Sequence, residues 1–191
     1  MVSPTALLIS AGGFQALPAI RSLRELGWQI VIAECLEFSP NQYEAEHYSQ
    51  IAPVISKKKF FDDLELLVEK YSISAIFPCT QFELETLSSL KDTYSKRGIY
   101  IATSYPTGYS TLCDKAKSLK SAHEFGLPVL PFINPITHAF DFPLIAKPRL
   151  GWGGNNIHTI TDVQALQDIL KNNCADEFVW QKYLADFREW S

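Results

Sequence analysis

No stretch of this sequence approaches the roughly 18 apolar residues that a membrane-crossing helix needs, so an embedded protein and a membrane partner are not expected. The opening Met1-Val2-Ser3-Pro4 has no basic cluster and runs straight into an apolar segment, unlike a signal peptide. Cysteine pairing is absent as well. Cys35, Cys79, Cys113 and Cys174 stand far apart with no CxxC spacing, and they read as reduced thiols of a cytoplasmic protein. Basic charge is not in excess: 17 Lys and Arg face 21 Asp and Glu, a net charge of −4. That argues against a nucleic-acid-binding surface while leaving room for a local basic pocket. His47, His123, His138 and His158 lack metal-ligand spacing. No internal repeat and no low-complexity segment is present.

What is present is enough apolar material for a packed core, 47% of 191 residues, the size of one medium domain or two small ones. Ala6-Leu7-Leu8-Ile9-Ser10 is nearly continuous in its hydrophobicity, as in a strand buried on both faces. Leu17, Ile20, Leu23 and Leu26 follow at helical spacing, with Arg21, Arg24 and Glu25 on the other face and Gly27 as a stop. Strands are predicted at Gln29 to Ala33, Ile51 to Ile55, Ala75 to Phe77 and Ile99 to Ala102. Helices are predicted from Phe60 to Tyr71 and from Phe82 to Tyr94, with Lys57-Lys58-Lys59 a solvated run ahead of the first. Strands alternating with helices specify a parallel, doubly wound α/β unit.

The pattern changes near Tyr105-Pro106-Thr107-Gly108, a boundary signal. A helix from Asp114 to Phe125, stopped by Gly126, leads to strand-like pieces around Pro131 and Pro135. A Lys147-bearing strand follows, then a helix capped by Thr161 or Asp162 and a strand from Glu177 to Gln181. This second region reads as α+β.

The chemically richest stretch lies there. Pro143 to Ala146 is apolar and ends in Lys147; Gly151, Gly153 and Gly154 follow at once, and hydrophobicity returns at Ile157. This reads as strand, flexible turn, strand. Glycines let a backbone approach a bulky anion and aim N–H groups at it. A lysine closing a buried run loses hydration unless an anion pairs with it. One phosphate charge at about 4 Å offers about 4 kcal/mol at an effective dielectric of about 20. The arrangement suits a nucleotide triphosphate, against the alternative of a tight hairpin with no ligand. It is not a Walker A motif, because no Gly-Lys-Ser/Thr follows. Trp152 in the same loop reads either as a stacking residue or as a loose cover. Gly12-Gly13, between a strand and a helix, admits a dinucleotide site, but the GxGxxG spacing is missing and a ligand-free turn explains the pair as well. Asp114-Lys115 reads as a helix cap with a solvated lysine when taken alone, and Gln181-Lys182-Tyr183-Leu184 as a strand end.

Taken in order, these pieces resemble the ATP-grasp superfamily, most closely proteins similar to the carbamoyl-phosphate synthase large subunit. The specific elements are the Ala-Gly-Gly turn, Cys113-Asp114-Lys115 with Gly126-Leu127-Pro128 downstream, Phe142 to Pro148 leading into Gly151-Trp152-Gly153-Gly154, and Val179 to Leu184 followed by Arg188-Glu189-Trp190-Ser191. The resemblance implies a Rossmann-like pre-ATP-grasp domain over residues 1–106 and a partial ATP-grasp domain, its first lobe, over 107–191. It implies that Lys115 and Lys147 hold ATP phosphates, that Gly151, Gly153 and Gly154 form the loop over the triphosphate, that Gln181, Lys182, Tyr183 and Leu184 contact adenine, and that Glu189 binds the ribose. Glu83 matches a family acid of the leading domain, where a structural role is the alternative.

The family's reaction is ligation of a small-molecule carboxylate and an amine through an acyl phosphate, with magnesium bridging the phosphates. Two departures from the family loop and adenine segment are Asn156 in place of a glycine and Lys182 in place of an acid. The metal-binding segment that the family places after its ribose-binding acid is not expected in this chain. The resemblance therefore implies a ligase portion, inactive alone, completed by a second chain or assembled as a homodimer. A non-catalytic ATP- or metabolite-binding regulatory module is the alternative, and a nicotinamide-dependent enzyme the third reading.

Overall fold

The computed structural model describes residues 3–151 and 153–185. The chain divides into two compact units, Met1–Tyr109 and Ser110–Ser191.

The first unit is organised by β1 (Thr5–Ile9), buried along its whole length. It lies at the centre of a five-stranded parallel sheet, with β2 (Gln29–Glu34) and β3 (His47–Gln50) on one side and β4 (Ala75–Pro78) and β5 (Tyr100–Ile101) on the other. The register sets Leu7 beside Val31 and Ile76, and Leu8 beside Ile32 and Phe77. Successive side chains point to opposite faces, so each face carries its own core. Leu8, Ile30 and Ile32 pack with Ile20 and Leu23 of α1 (Leu17–Glu25). Leu7, Ile9 and Val31 pack with Phe60, Leu64 and Val68 of α2 (Lys57–Lys70) and Leu87 and Tyr94 of α3 (Gln81–Ser95). Both faces are covered, which is why the central strands read as unbroken apolar runs. Gly27, expected to stop α1, has φ +80, a left-handed conformation that glycine adopts freely.

Two local expectations are corrected. The third strand is the polar segment His47–Gln50, not Ile51 to Ile55. It is an edge strand with a single neighbour, so polar side chains face water at little cost, while Ile51 is buried just beyond it. Lys57-Lys58-Lys59 is the first turn of α2 itself, with Lys59 Nζ 3.0 Å from Asp63 one turn on. The predicted boundary at Tyr105-Pro106 is occupied by a short helix, α4 (Pro106–Leu112), within which the division between units falls. Pro106 opens it, where a missing N–H is harmless.

The second unit contains α5 (Lys115–Glu124), β6 (Leu144–Pro148), β7 (His158–Ile160), α6 (Val163–Leu170) and β8 (Phe178–Lys182). Its antiparallel sheet has the order β7-β6-β8. Leu144 and Ala146 of β6 join Ile160, Leu166 and Trp180 in a small core. Asp162 is the cap of α6, its carboxylate accepting from the Ala165 N–H at 2.9 Å. No strand forms around Pro131 or Pro135; the Ile133 N–H gives a 2.9 Å bond to the Trp180 carbonyl.

Candidate functional site

In β6 the residues alternate, so Ile145 and Lys147 lie on the face opposite the small core. Lys147 is in register with Val179, and Ile145 with Gln181. Pairing between β6 and β7 ends at Ala146 and His158. Lys147 therefore stands at the mouth of the glycine loop while still held by β8. Across from it, α5 presents Lys115 in its first turn. Lys115, Lys147, Gln181 and Ser118 line one hollow of about 320 Å³, and no carboxylate lines it. Among the described residues Lys147 has no carboxylate partner.

The loop itself needs unusual backbone. Gly151, Gly153 and Gly154 have φ +129, +66 and +74, and Asn156 has φ 56. Asn156 is thus in the left-handed region, where asparagine is the commonest substitute for glycine. The Lys115 ammonium donates to the Gly151 carbonyl at 2.9 Å, which ties the loop to α5.

A second tie went unread in the sequence. Asp114 caps α5, accepting from the Ala116 N–H at 3.0 Å, and the same carboxylate receives Arg149 Nε at 3.1 Å and Nη2 at 2.5 Å. The Lys115 N–H donates to the Arg149 carbonyl at 2.9 Å. Arg149 thus pins the start of the loop to the helix that carries Lys115. The two partners lie 35 positions apart, so spacing alone gives no hint; the one local signal was Arg149 directly after Lys147-Pro148.

The Arg149 guanidinium, more than the capping N–H groups, holds Asp114 below its ordinary value of 3.8. Such a carboxylate stabilises the fold fully above about pH 4 and loses that contribution as acid titrates it through its lower folded value. Replacing Arg149 with methionine is expected to cost the second unit about 1–3 kcal/mol at neutral pH. It should also flatten the fall in stability between about pH 5 and about pH 3. Thermal melts of both proteins across that range measure this.

The remaining expected residues are placed as follows. Gln181 is buried and its amide donates to the Leu130 carbonyl at 3.0 Å. Lys182, in register with Leu144, is exposed. The Tyr183 N–H bonds the Pro143 carbonyl at 3.0 Å, and Leu184 is exposed. Lys182 ends β8 on the side away from the glycine loop, three residues from the level of Lys147 or about 10 Å at about 3.3 Å per residue, and Tyr183 and Leu184 lie just past it. Glu189 and Trp152 lie outside the described residues. Glu83 is buried and accepts from Ser10 Oγ at 2.6 Å and Thr80 Oγ1 at 2.5 Å.

The Gly12-Gly13 turn does not suit a dinucleotide. The Gly12 N–H is taken by the Glu34 carboxylate at 3.0 Å, placing negative charge where a pyrophosphate would need donors. Among the described residues no group of three or more His, Cys, Asp or Glu is placed to hold a metal. The magnesium ligands implied by the resemblance have no candidate there. All four cysteines are free thiols, and no helix among the described residues is long and apolar enough to cross a membrane.

The fold is shared with solved enzymes. The biotin carboxylase domain of the Hydrogenobacter thermophilus 2-oxoglutarate carboxylase, a dimer with ADP, its magnesium salt and bicarbonate, superposes with a TM-score of 0.69 at 20% identity, over 97% of this chain and 45% of that one. N5-carboxyaminoimidazole synthetase from Staphylococcus aureus, complexed with ADP, gives 0.67 at 21% identity, over 96% and 48%. L-amino acid ligase from Bacillus licheniformis gives 0.70 at 14% identity, over 96% and 45%. The chain spans somewhat under half the length of these structures. The expected α/β class holds: a parallel sheet is followed by a small antiparallel one, a fold shared with these solved structures over nearly the whole chain. No curated protein matches the chain. Residues 7–102, about half of the 191, match the family model described as PylC-like, N-terminal domain, and the protein belongs to that family.

Proposed function

We propose that this chain carries the leading domain, residues 1–106, and the phosphate-binding first lobe, residues 107–191, of an ATP-dependent carboxylate–amine ligase. Within that group its motifs favour the proteins similar to the carbamoyl-phosphate synthase large subunit. The observation that carries the reading is the convergence of Lys115 and Lys147 on one hollow free of carboxylates, beside a loop with three glycines at positive φ. Two ammonium groups and a backbone able to turn its N–H groups toward an anion form a donor set that fits polyphosphate. Bound ADP in the solved structures of similar fold supports the same reading.

ATP supplies a phosphoryl group that activates a carboxylate toward an amine. The chain's own residues do the positioning. Lys147, fixed on the central strand of its sheet, and Lys115, fixed by the Asp114 cap, hold negative charge at two points. The Arg149–Asp114 tie keeps the loop start in register with α5, so closure of the loop is referred to a rigid helix. Tyr183 and Leu184, at the other end of β8, form the surface for adenine, and Glu189 is proposed for the ribose.

Calorimetric titration of the chain with ATP and magnesium, beside NAD, tests the reading. Saturable ATP binding with no heat from NAD is expected, whether or not turnover accompanies it; binding of neither nucleotide refutes the phosphate site. Binding without turnover in the presence of every candidate amine, carboxylate and partner chain would favour the regulatory alternative.

A further inference from the structure

The first unit holds a cavity that the nucleotide reading leaves unused. Its volume is about 550 Å³, within the range of small-molecule sites. It opens beyond the C-terminal ends of β1 and β4, which are neighbours in the sheet. The helices that follow these two strands, α1 and α3, pack on opposite faces, and that divergence opens a crevice suited to ligands.

Glu34, at the end of β2, and Glu83, in the first turn of α3, reach the cavity from different connections, 7% and 5% exposed. Among the described residues their hydrogen-bond donors are all neutral: the Gly12 and Cys35 N–H groups and the Cys35 thiol for Glu34, and the Ser10 and Thr80 hydroxyls for Glu83. Among the described residues no Lys, Arg or His lines the cavity. Glu83 lies in the first turn of α3, whereas Glu34 sits on no helix. The field is felt around them. Burial first, then Glu83 and Glu34, push the Cys79 thiol up to about 12, and burial followed by Glu34 raises Cys35.

Two observations of a different kind concern the same wall. Ser39 lines the cavity and is 6% exposed, and among the described residues its hydroxyl has no well-formed hydrogen bond, with only the Tyr48 phenol near it. Ser39 packs so closely on Gly12 that a Cβ there would fall 2.9 Å from Ser39 Cβ and 2.8 Å from the Glu34 carboxylate. Ser10, which holds Glu83, has φ 56, a strained conformation for a non-glycine residue. Ile9, Ile51, Val54 and Phe60 make the inner walls apolar.

We propose that this cavity binds an organic ammonium ion carried on an apolar body. The ammonium donates to Glu34, Glu83 and the Ser39 hydroxyl: Glu34 Oε1 already accepts twice from Cys35, but Glu34 Oε2 and both Glu83 oxygens each have a lone pair beyond one present donor among the described residues. The hydrocarbon lies against Ile51, Val54 and Phe60. A carboxylate or phosphate ligand is rejected by like charge. The binding site stands apart from the ATP reading; only its assignment as the seat of the ligase's amine rests on that reading.

The test uses the full chain without nucleotide and three probes of one body: hexylammonium, hexanol and hexanoate, titrated by protein-observed NMR. Hexylammonium is expected to bind saturably and roughly tenfold or more tighter than either control, as hydrogen bonds to buried charge allow. Ser39→Ala, which removes a hydroxyl without a well-formed hydrogen bond among the described residues, should leave the melting temperature nearly unchanged or raised while weakening hexylammonium several-fold, the loss of about one hydrogen bond. Glu34→Gln should erase the preference over hexanol. Equal binding of hexanol, or no saturable binding of hexylammonium, overturns the proposal even where ATP binds normally. Should Glu34→Gln fail to fold, the ranking of the probes on the unaltered chain and Ser39→Ala decide it.

Discussion

Replacing Lys147 with alanine should remove most of the chain's affinity for ATP and leave its fold intact. The charge sits at the mouth of the loop, in register with Val179 on a strand whose other face carries the small core. A phosphate charge at about 4 Å from it gains at most about 4 kcal/mol at an effective dielectric of about 20. Part of that is already spent on stripping water from the lysine, so a net loss of about 1.5–3 kcal/mol is expected, which is roughly tenfold to more than a hundredfold in affinity. Stability should hardly change, because the ammonium lacks a carboxylate partner among the described residues and its removal strands nothing. Calorimetry of the variant beside a circular-dichroism melt separates the two quantities. Unchanged affinity would sink the assignment of this lysine, and Lys147→Arg, which keeps the charge, should retain more binding than the alanine variant.

Phe60→Ala should be the most damaging single change in the first unit. Its ring is 1% exposed and packs among Leu64, Val68 and the strand residues of the face covered by α2 and α3. Truncating a buried phenylalanine costs about 3–5 kcal/mol through lost burial and the void left behind. For a unit of this size that corresponds to a fall in melting temperature of roughly 12 °C or more. Denaturant unfolding measures it, with the midpoint shifting and the slope held. Because Phe60 also walls the acidic cavity, Phe60→Leu, which refills most of the volume, should recover the larger part of the stability.

The parts of the fold that were legible in the sequence are those whose cause is local. β1, β2 and β4 are covered on both faces, so their hydrophobicity is uninterrupted and their positions can be read directly. Asp114 and Asp162 cap helices through their own neighbours' N–H groups. The glycine loop was visible because a left-handed backbone demands particular residues, and Asn156 at φ 56 fits that demand. What escaped has a non-local cause. β3 is polar because it lies at an edge, a fact of sheet order and not of composition. The Arg149–Asp114 tie and the Glu34, Ser39 and Glu83 cluster join residues from separate connections. Only the strand order, with β1 between β2 and β4, brings those three together.

That same strand order governs how the first unit is assembled in time. β1 is made first, but its second neighbour is β4, about 70 positions further along the chain. Until Ala75–Pro78 exists, one side of this fully buried strand has its backbone groups unpaired. Pairings between strands so distant must pay loop-closure entropy before they are rewarded. Folding of this unit therefore cannot proceed stepwise from its beginning. It waits for the middle of the chain, and during synthesis at about 5–20 residues per second that leaves Thr5–Ile9 open to wrong partners for several seconds.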